Sequence, residues 1–257
     1  MTNSNFWEKS GYKKVEIKRS SRLAEKVRSL YERGSGLKHL FGRLDNKIMK
    51  CICRDDIDLK SKKLLDIGCG FGDFLSYAEK KLGHTYGIDL IESEVEAAKR
   101  FLPPNSEVIV AEGENLPFEN NFFDFVVIKG VVHHFAEPIK VFQEIKRILK
   151  KGGRLIILEG NPSSSYRKWI LKIADILKIE HESSLFSHLS FPEIAALLKE
   201  VGFRSTNQRI SGFFTPFGLV GFGNANLWQR INTIEDFLER RMPFFMWHNL
   251  IIAELAD

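Results

Sequence analysis

From Lys62 onward, short apolar runs alternate with amphipathic stretches, the order expected of an α/β chain with a doubly wound, mostly parallel sheet and helices on both faces. A second mark is FFDFVVIKG (122–130), apolar on both alternating sides, as in a strand covered on both faces. A third is GCGFG (68–72), a glycine-rich turn between the first strand pattern and the helix after it, a general device of nucleotide sites.

Two helices precede the first strand. Ser20-Ser21 offers an N-cap to RLAEKVRSLYERG, with Leu23, Val27 and Leu30 at helical spacing and Gly34 at its end. Leu37–Cys53 follows, with Leu37, Leu40, Phe41, Leu44 and Ile48 on one side. These make an N-terminal helical cap or lid, residues 1–62, with the polar first 18 residues loosely docked. In the α/β domain, 63–257, LLDI is the first strand, DFLSYAEKKLG a helix and HTYGIDL a strand. ESEVEAAKRF is a helix, SEVIVAE a strand and FFDFVVIKG a strand. EPIKVFQEIKRILKKGG is expected to be helical up to Gly152-Gly153, with RLIILEG as the fifth strand. SSSYRKWILKIADILKI reads as an inserted helix and FPEIAALLKEVGF as a helix leading into a strand near Arg204–Ile210. SGFFTPFGLVGFGN is a loop, ANLWQRINTIEDFLERRM a helix and WHNLIIAELA the last of seven strands. The segments near 162–190 and 211–243 stand as inserted lids.

At 257 residues, 44% hydrophobic and 28% charged, the composition is that of an ordinary globular protein. No apolar run approaches the roughly 20 residues that span a bilayer. MTNSNFWEKSGYKK lacks the apolar segment of a secretory signal. Cys51, Cys53 and Cys69 form no Cys-x-x-Cys pair, which argues against a disulfide framework and against a metal site of zinc type. Together these predict a cytoplasmic location. The net charge of +5 is uneven: residues 1–63 hold 17 Lys and Arg against 8 Asp and Glu. Such a segment suits phosphate-bearing partners or a solvated helix face.

Gly68, Gly70 and Gly72 permit positive φ and remove Cβ atoms from a ligand's path. A nicotinamide-dinucleotide site would want G-x-G-x-x-G, but the position three after Gly70 is Asp73, whose carboxylate would repel a pyrophosphate. The actual run is Asp66-Ile-Gly-Cys-Gly-Phe-Gly72. It resembles motif I of the class I S-adenosylmethionine-dependent methyltransferases. Three further stretches resemble the family in order: YGIDL ending on Asp89, AEGENLPFENNFFDFVVIKGVVHHF, and RILKKGGRLIILEG, where Lys151 stands in the place of the usual proline.

The resemblance spans about residues 63–160. It implies a Rossmann-like seven-stranded sheet with an antiparallel last strand, and S-adenosylmethionine as cofactor, with S-adenosylhomocysteine as product. By position, Asp66, Gly68, Cys69 and Gly70 would hold the methionine end and the loop. Asp89 would take the ribose, with Leu90 beside the adenine. Glu112, where the family usually has Asp, would meet the adenine amino group, and Gly113 a ring nitrogen. Lys129 and Gly130 would border the methionine and the sulfonium.

Methyl transfer from a sulfonium is an in-line displacement that makes no metal obligatory, and a base is needed only for the less acidic acceptors. His133 and His134 follow the fourth strand, at the substrate mouth, and either is a candidate base. Glu159 and Asn161 follow the fifth strand at the same edge and are candidate substrate ligands. His181 and His188 lie in the inserted segment and read more readily as surface or packing residues. Phe213, Phe214, Phe217, Phe222 and Trp228 crowd one stretch. They read as core, or, for Phe213 and Phe217, as an apolar wall for a bulky acceptor. Lys-Gly-Val-Val-His-His replaces the Asn/Asp-Pro-Pro-Tyr/Phe of many amino-methylating enzymes of nucleic acids and glutamine. The expected acceptor is therefore a small molecule methylated on oxygen, nitrogen or carbon. An RNA methyltransferase using the basic N-terminal segment, or a non-catalytic binding module on the same scaffold, are the alternatives.

Overall fold

The computed structural model describes residues 24–34, 36–53, 58–176, 189–210, 225–242 and 246–256. The elements are α1 (24–32), α2 (Gly36–Ile52), β1 (Lys63–Ile67), α3 (Asp73–Ala78), β2 (His84–Asp89), α4 (Glu92–Phe101) and β3 (Ser106–Val110). After them come β4 (Phe123–Lys129), α5 (Pro138–Ile148), β5 (Leu149–Gly160), α6 (Ser165–Ile176), α7 (Phe191–Val201), β6 (Phe203–Ile210), α8 (Ala225–Arg241) and β7 (His248–Leu255). The strands form one sheet in the order β3-β2-β1-β4-β5-β7-β6. β1 through β5 pair in parallel, and β7 runs antiparallel to both β5 and β6. The expected seven-stranded Rossmann-like architecture is the one observed.

Alternation along the strands divides the core in two. Leu64, Val127, Ile156 and Leu158 point to the face covered by α2, α3 and α4. Leu65, Ile67, Val126, Ile128, Leu155 and Ile157 point to the face covered by α5 and α7. Val141, Phe142, Ile145 and Ile148 of α5 recur every three or four residues and are fully buried, each contributing about 1.5–3 kcal/mol. α7 starts where Glu193 accepts from both the Ser190 amide and hydroxyl, and stops at Gly202, whose φ is 101°.

α2 packs directly on the sheet. Its Leu37, Leu40, Leu44, Ile48, Met49 and Ile52 are buried within the same apolar cluster as β1, β4 and β5. One aspartate, Asp45, is buried among them.

α5 ends earlier than its sequence suggests. The helix stops at Ile148, and Leu149 already pairs with Phe123 of β4. A register shift between Phe123 and Phe125 and a positive φ at Gly152 then absorb KKGG as an irregularity within β5. Sheet pairing outweighs the helical pattern of the last turn.

Candidate active site

The strand order reverses between β1 and β4, and the C-terminal ends of those strands enclose the crevice where open α/β sheets take ligands. The glycine turn lies there. Gly68, Gly70 and Gly72 have φ of 75°, 52° and 82°. The amides of Gly68 and Cys69 both donate to the Ile88 carbonyl, at 2.8 and 2.9 Å. The two decisive glycines differ in purpose. A Cβ on Gly68 would stand 2.5 Å from the Val131 side chain, so that position is closed by the protein itself. A Cβ on Gly70 would meet nothing within 4 Å, and the same holds at Gly130, where φ is 69°. Open space thus lies beside Gly70 and Gly130, whereas the side-chain position of Gly68 is filled by Val131.

Asp89, at the end of β2, accepts from the Gly70 amide at 2.9 Å and from the Ile91 amide at 2.8 Å. It thus ties the turn to the second strand. Burial raises its pKa despite these bonds. Leu90 beside it is exposed. Glu112 is exposed after β3, and Gly113 is buried against Val141 and Phe135.

Beneath the turn is a charge cluster. The Lys129 ammonium donates to Asp45 of α2 at 3.1 Å and to Asp73 of α3. Burial disfavours its charge, but Asp45, Asp73 and Asp66 together hold its pKa above the usual lysine value. Burial also pushes Asp45 up to about 7, against the pull of Lys129. The Tyr31 ring of α1 sits 5.2 Å from Phe71 and 5.9 Å from Phe41, its phenol pushed up to about 12 by burial and by Asp73 and Asp45. Sequence reasoning used Asp73 only to exclude a pyrophosphate and did not single out Asp45. The available signal was an acid inside the apolar stripe of a helix.

Asp66 is 1% exposed, and its Oδ1 has no hydrogen-bond partner among the described residues. Burial, with repulsion from Asp73, Asp45 and Asp89 and against the attraction of Lys129, pushes it up to about 8. A buried acceptor without a donor, beside glycines that leave open space, fits a ligand bearing a cationic donor.

The two histidines part company. His133 is buried, its Nδ1 2.9 Å from Glu159 Oε1. Glu159 also accepts from the Val132 amide at 3.0 Å and the Gly160 amide at 3.0 Å. This geometry makes His133 and Glu159 a brace between the 132–134 turn and β5. Glu159 spends its lone pairs on the chain itself. Asn161 is likewise buried, donating to the Met246 carbonyl at 3.1 Å and accepting from the Ser163 amide at 3.1 Å, as a turn-closing residue does. His134 is only partly buried; its ring lies against that of His133, centroids 4.1 Å apart and tilted by 42°. Trp228 is buried in packing. Phe213, Phe214, Phe217, Phe222, His181 and His188 lie outside the described residues.

A family model described as a methyltransferase domain matches residues 65–157, the stretch from β1 to β5. A demethylmenaquinone methyltransferase of Staphylococcus saprophyticus is 27% identical over 72% of this chain and 91% of its own length. The demethylmenaquinone methyltransferase of Staphylococcus aureus is 31% identical over 60% of this chain and 72% of its own. Among solved structures, an S-adenosylmethionine-dependent methyltransferase from Mesorhizobium loti superposes with a TM-score of 0.55 at 16% identity, over 77% of this chain and 92% of that one. The identity of 31% with an enzyme of which the chain covers 72%, together with the matching domain model, shows the family: the chain belongs to the class I S-adenosylmethionine-dependent methyltransferases.

Proposed function

We propose that the chain methylates a small, apolar, hydroxylated ring compound of the quinol type, drawing the methyl group from S-adenosylmethionine. The cofactor supplies an electrophilic methyl on a sulfonium. The observation that carries the reading is the partnerless, buried Asp66 oxygen beside the clear space at Gly70 and Gly130. Support for the acceptor class comes from the relatives, whose names specify demethylmenaquinone and most of whose length this chain spans.

In this reading Asp66 accepts from the methionine ammonium. Gly68, Cys69 and Gly70 bend the main chain around the methionine, and Gly130 leaves room beside the sulfonium. Asp89 and Leu90 face the ribose and the adenine, with Glu112 and Gly113 at the adenine edge. Lys129, locked between Asp45 and Asp73, anchors α2 to the floor of the pocket. Its own ammonium stays away from the like-charged sulfonium. His133, held by Glu159, fixes the turn that presents His134. His134 takes the hydroxyl proton, which makes the ring carbon a stronger nucleophile; the methylated carbon would then give up its own proton, restoring the aromatic ring and its hydroxyl.

The test is transfer of labelled methyl to a short-chain demethylmenaquinol, with His134→Gln and His133→Gln compared. His134→Gln should lower kcat by about 100-fold or more with cofactor affinity unchanged. His133→Gln should lower stability first. Full turnover by His134→Gln, or no transfer by the wild type to a quinol, overturns the reading.

A further inference from the structure

Two helices outside the cofactor pocket, α6 and α8, carry large apolar side chains on their outer surfaces. On α6, Trp169 is 60% and Ile176 71% exposed, with exposed Lys172 between them. Steps of three and four place these residues on one face. α8 repeats the pattern over a greater length. Leu227, Arg230, Ile234, Phe237 and Arg241 all face solvent at steps of three and four. The Arg241 guanidinium lies 5.9 Å from the Phe237 ring centroid.

The charges of α8 are sorted by face. Its three acids turn toward α2. Arg43 reaches Glu235, Asp236 and Glu239 at 3.8, 2.9 and 2.9 Å. Lys47 reaches Asp236 and Glu239 at 3.3 and 2.6 Å. Its three bases, Arg230, Arg240 and Arg241, are exposed. Tyr166, in the first turn of α6, lies within range of the Glu235 charge of α8, which together with burial raises its pKa.

We infer that the outer faces of α6 and α8 form a docking surface for an anionic lipid bilayer. Apolar side chains interleaved with Lys and Arg are what an interfacial helix presents, the rings and aliphatics entering the headgroup layer while the cations meet lipid phosphates. A second copy of the chain is a poorer occupant. Two-fold pairing of this surface would bring arginines and lysines against their own copies. The inference rests on the apolar-acceptor reading for its purpose, since a hydrophobic acceptor resides in the bilayer, but the geometry is independent of it.

Sedimentation with vesicles tests it, in the absence of cofactor and acceptor. The full chain should bind vesicles of phosphatidylcholine mixed with phosphatidylglycerol, bind phosphatidylcholine alone far more weakly, and release as salt rises. Trp169→Ser with Phe237→Ser should weaken binding by about tenfold or more. Arg230→Glu with Arg241→Glu should do so by about 25-fold or more. All four positions are exposed, and retained S-adenosylhomocysteine affinity shows that each variant is folded. Absence of binding to anionic vesicles at low salt overturns the inference. So does binding that these variants leave unchanged, or a dimer in sedimentation velocity that Phe237→Ser dissolves. Because the assay contains no acceptor, such a failure leaves the methyl-transfer reading standing, and loss of quinol turnover leaves vesicle binding standing.

Discussion

The glycine turn and the α2–α8 contact are built by different means. At the first, β1, β2 and β4 hold the glycine turn through backbone amides, and Gly70 and Asp89 are bonded across only 19 residues. At the second, α8 is tied to α2 by side-chain ion pairs, and Arg43 and Glu239 are 196 residues apart. The first arrangement bonds main chain to main chain and to one carboxylate, beside the buried Asp66. The second is a mostly buried network in which Arg43 and Lys47 share Asp236 and Glu239, and Arg43 also reaches Glu235, so the loss of any one pair is partly made good by the others. The two therefore differ in redundancy: Lys129 is the counter-ion of both Asp45 and Asp73, whereas Arg43, Lys47, Asp236 and Glu239 each have more than one partner.

The contrast is sharpest at Lys129. Lys129→Met removes the counter-ion of the buried Asp45 and Asp73, and should cost about 3–5 kcal/mol in urea unfolding at pH 8. The loss should shrink toward pH 5, because Asp45, already pushed up to about 7, takes up a proton there. A cost no larger than that of breaking an α2–α8 pair would erase the distinction between the two regions.

Asp66 gives the next largest effect. Its pKa is raised, so the folded apo protein keeps a proton that the unfolded chain gives up. This group's contribution to stability therefore falls as pH rises from about 4 to about 8. A cationic guest reverses the preference and releases that proton. S-adenosylhomocysteine should accordingly bind on the order of tenfold more tightly at pH 8 than at pH 6 by calorimetry. Asp66→Asn should weaken binding at pH 8 by about tenfold and flatten the pH dependence. A pH profile that survives the substitution would assign the titration to another group.

The smallest effect belongs to the α2–α8 contact. Glu239→Gln should lower stability by about 1–2 kcal/mol, because Arg43 keeps Glu235 and Asp236 as partners, and leave S-adenosylhomocysteine affinity unchanged. A change in that affinity would show the two regions to be coupled.

Legibility followed the same division. The seven strands and the turn could be read from alternation and glycine spacing, because both are local signals. The end of α5 could not. The helical pattern of RILKK runs on past Ile148, and only the pairing of Leu149 with Phe123 stops it. The purpose of Gly68 was hidden because the group that excludes a Cβ is Val131, which reaches it through the β1–β4 pairing. Asp73 was visible as an acid but not as the partner of Lys129, and Asp45 lay within an apolar helix whose contact is 84 residues away. Long-range electrostatic partners leave no periodic trace.

That last separation has a consequence for how the molecule is made. α2 leaves the ribosome early, with an aspartate in the middle of the face it must bury. The lysine that neutralises it arrives 84 residues later, at the tip of β4. Until then the helix cannot settle without stranding a charge, so docking of the leading segment waits for the central strands, and the floor of the donor seat closes only once β4 has emerged.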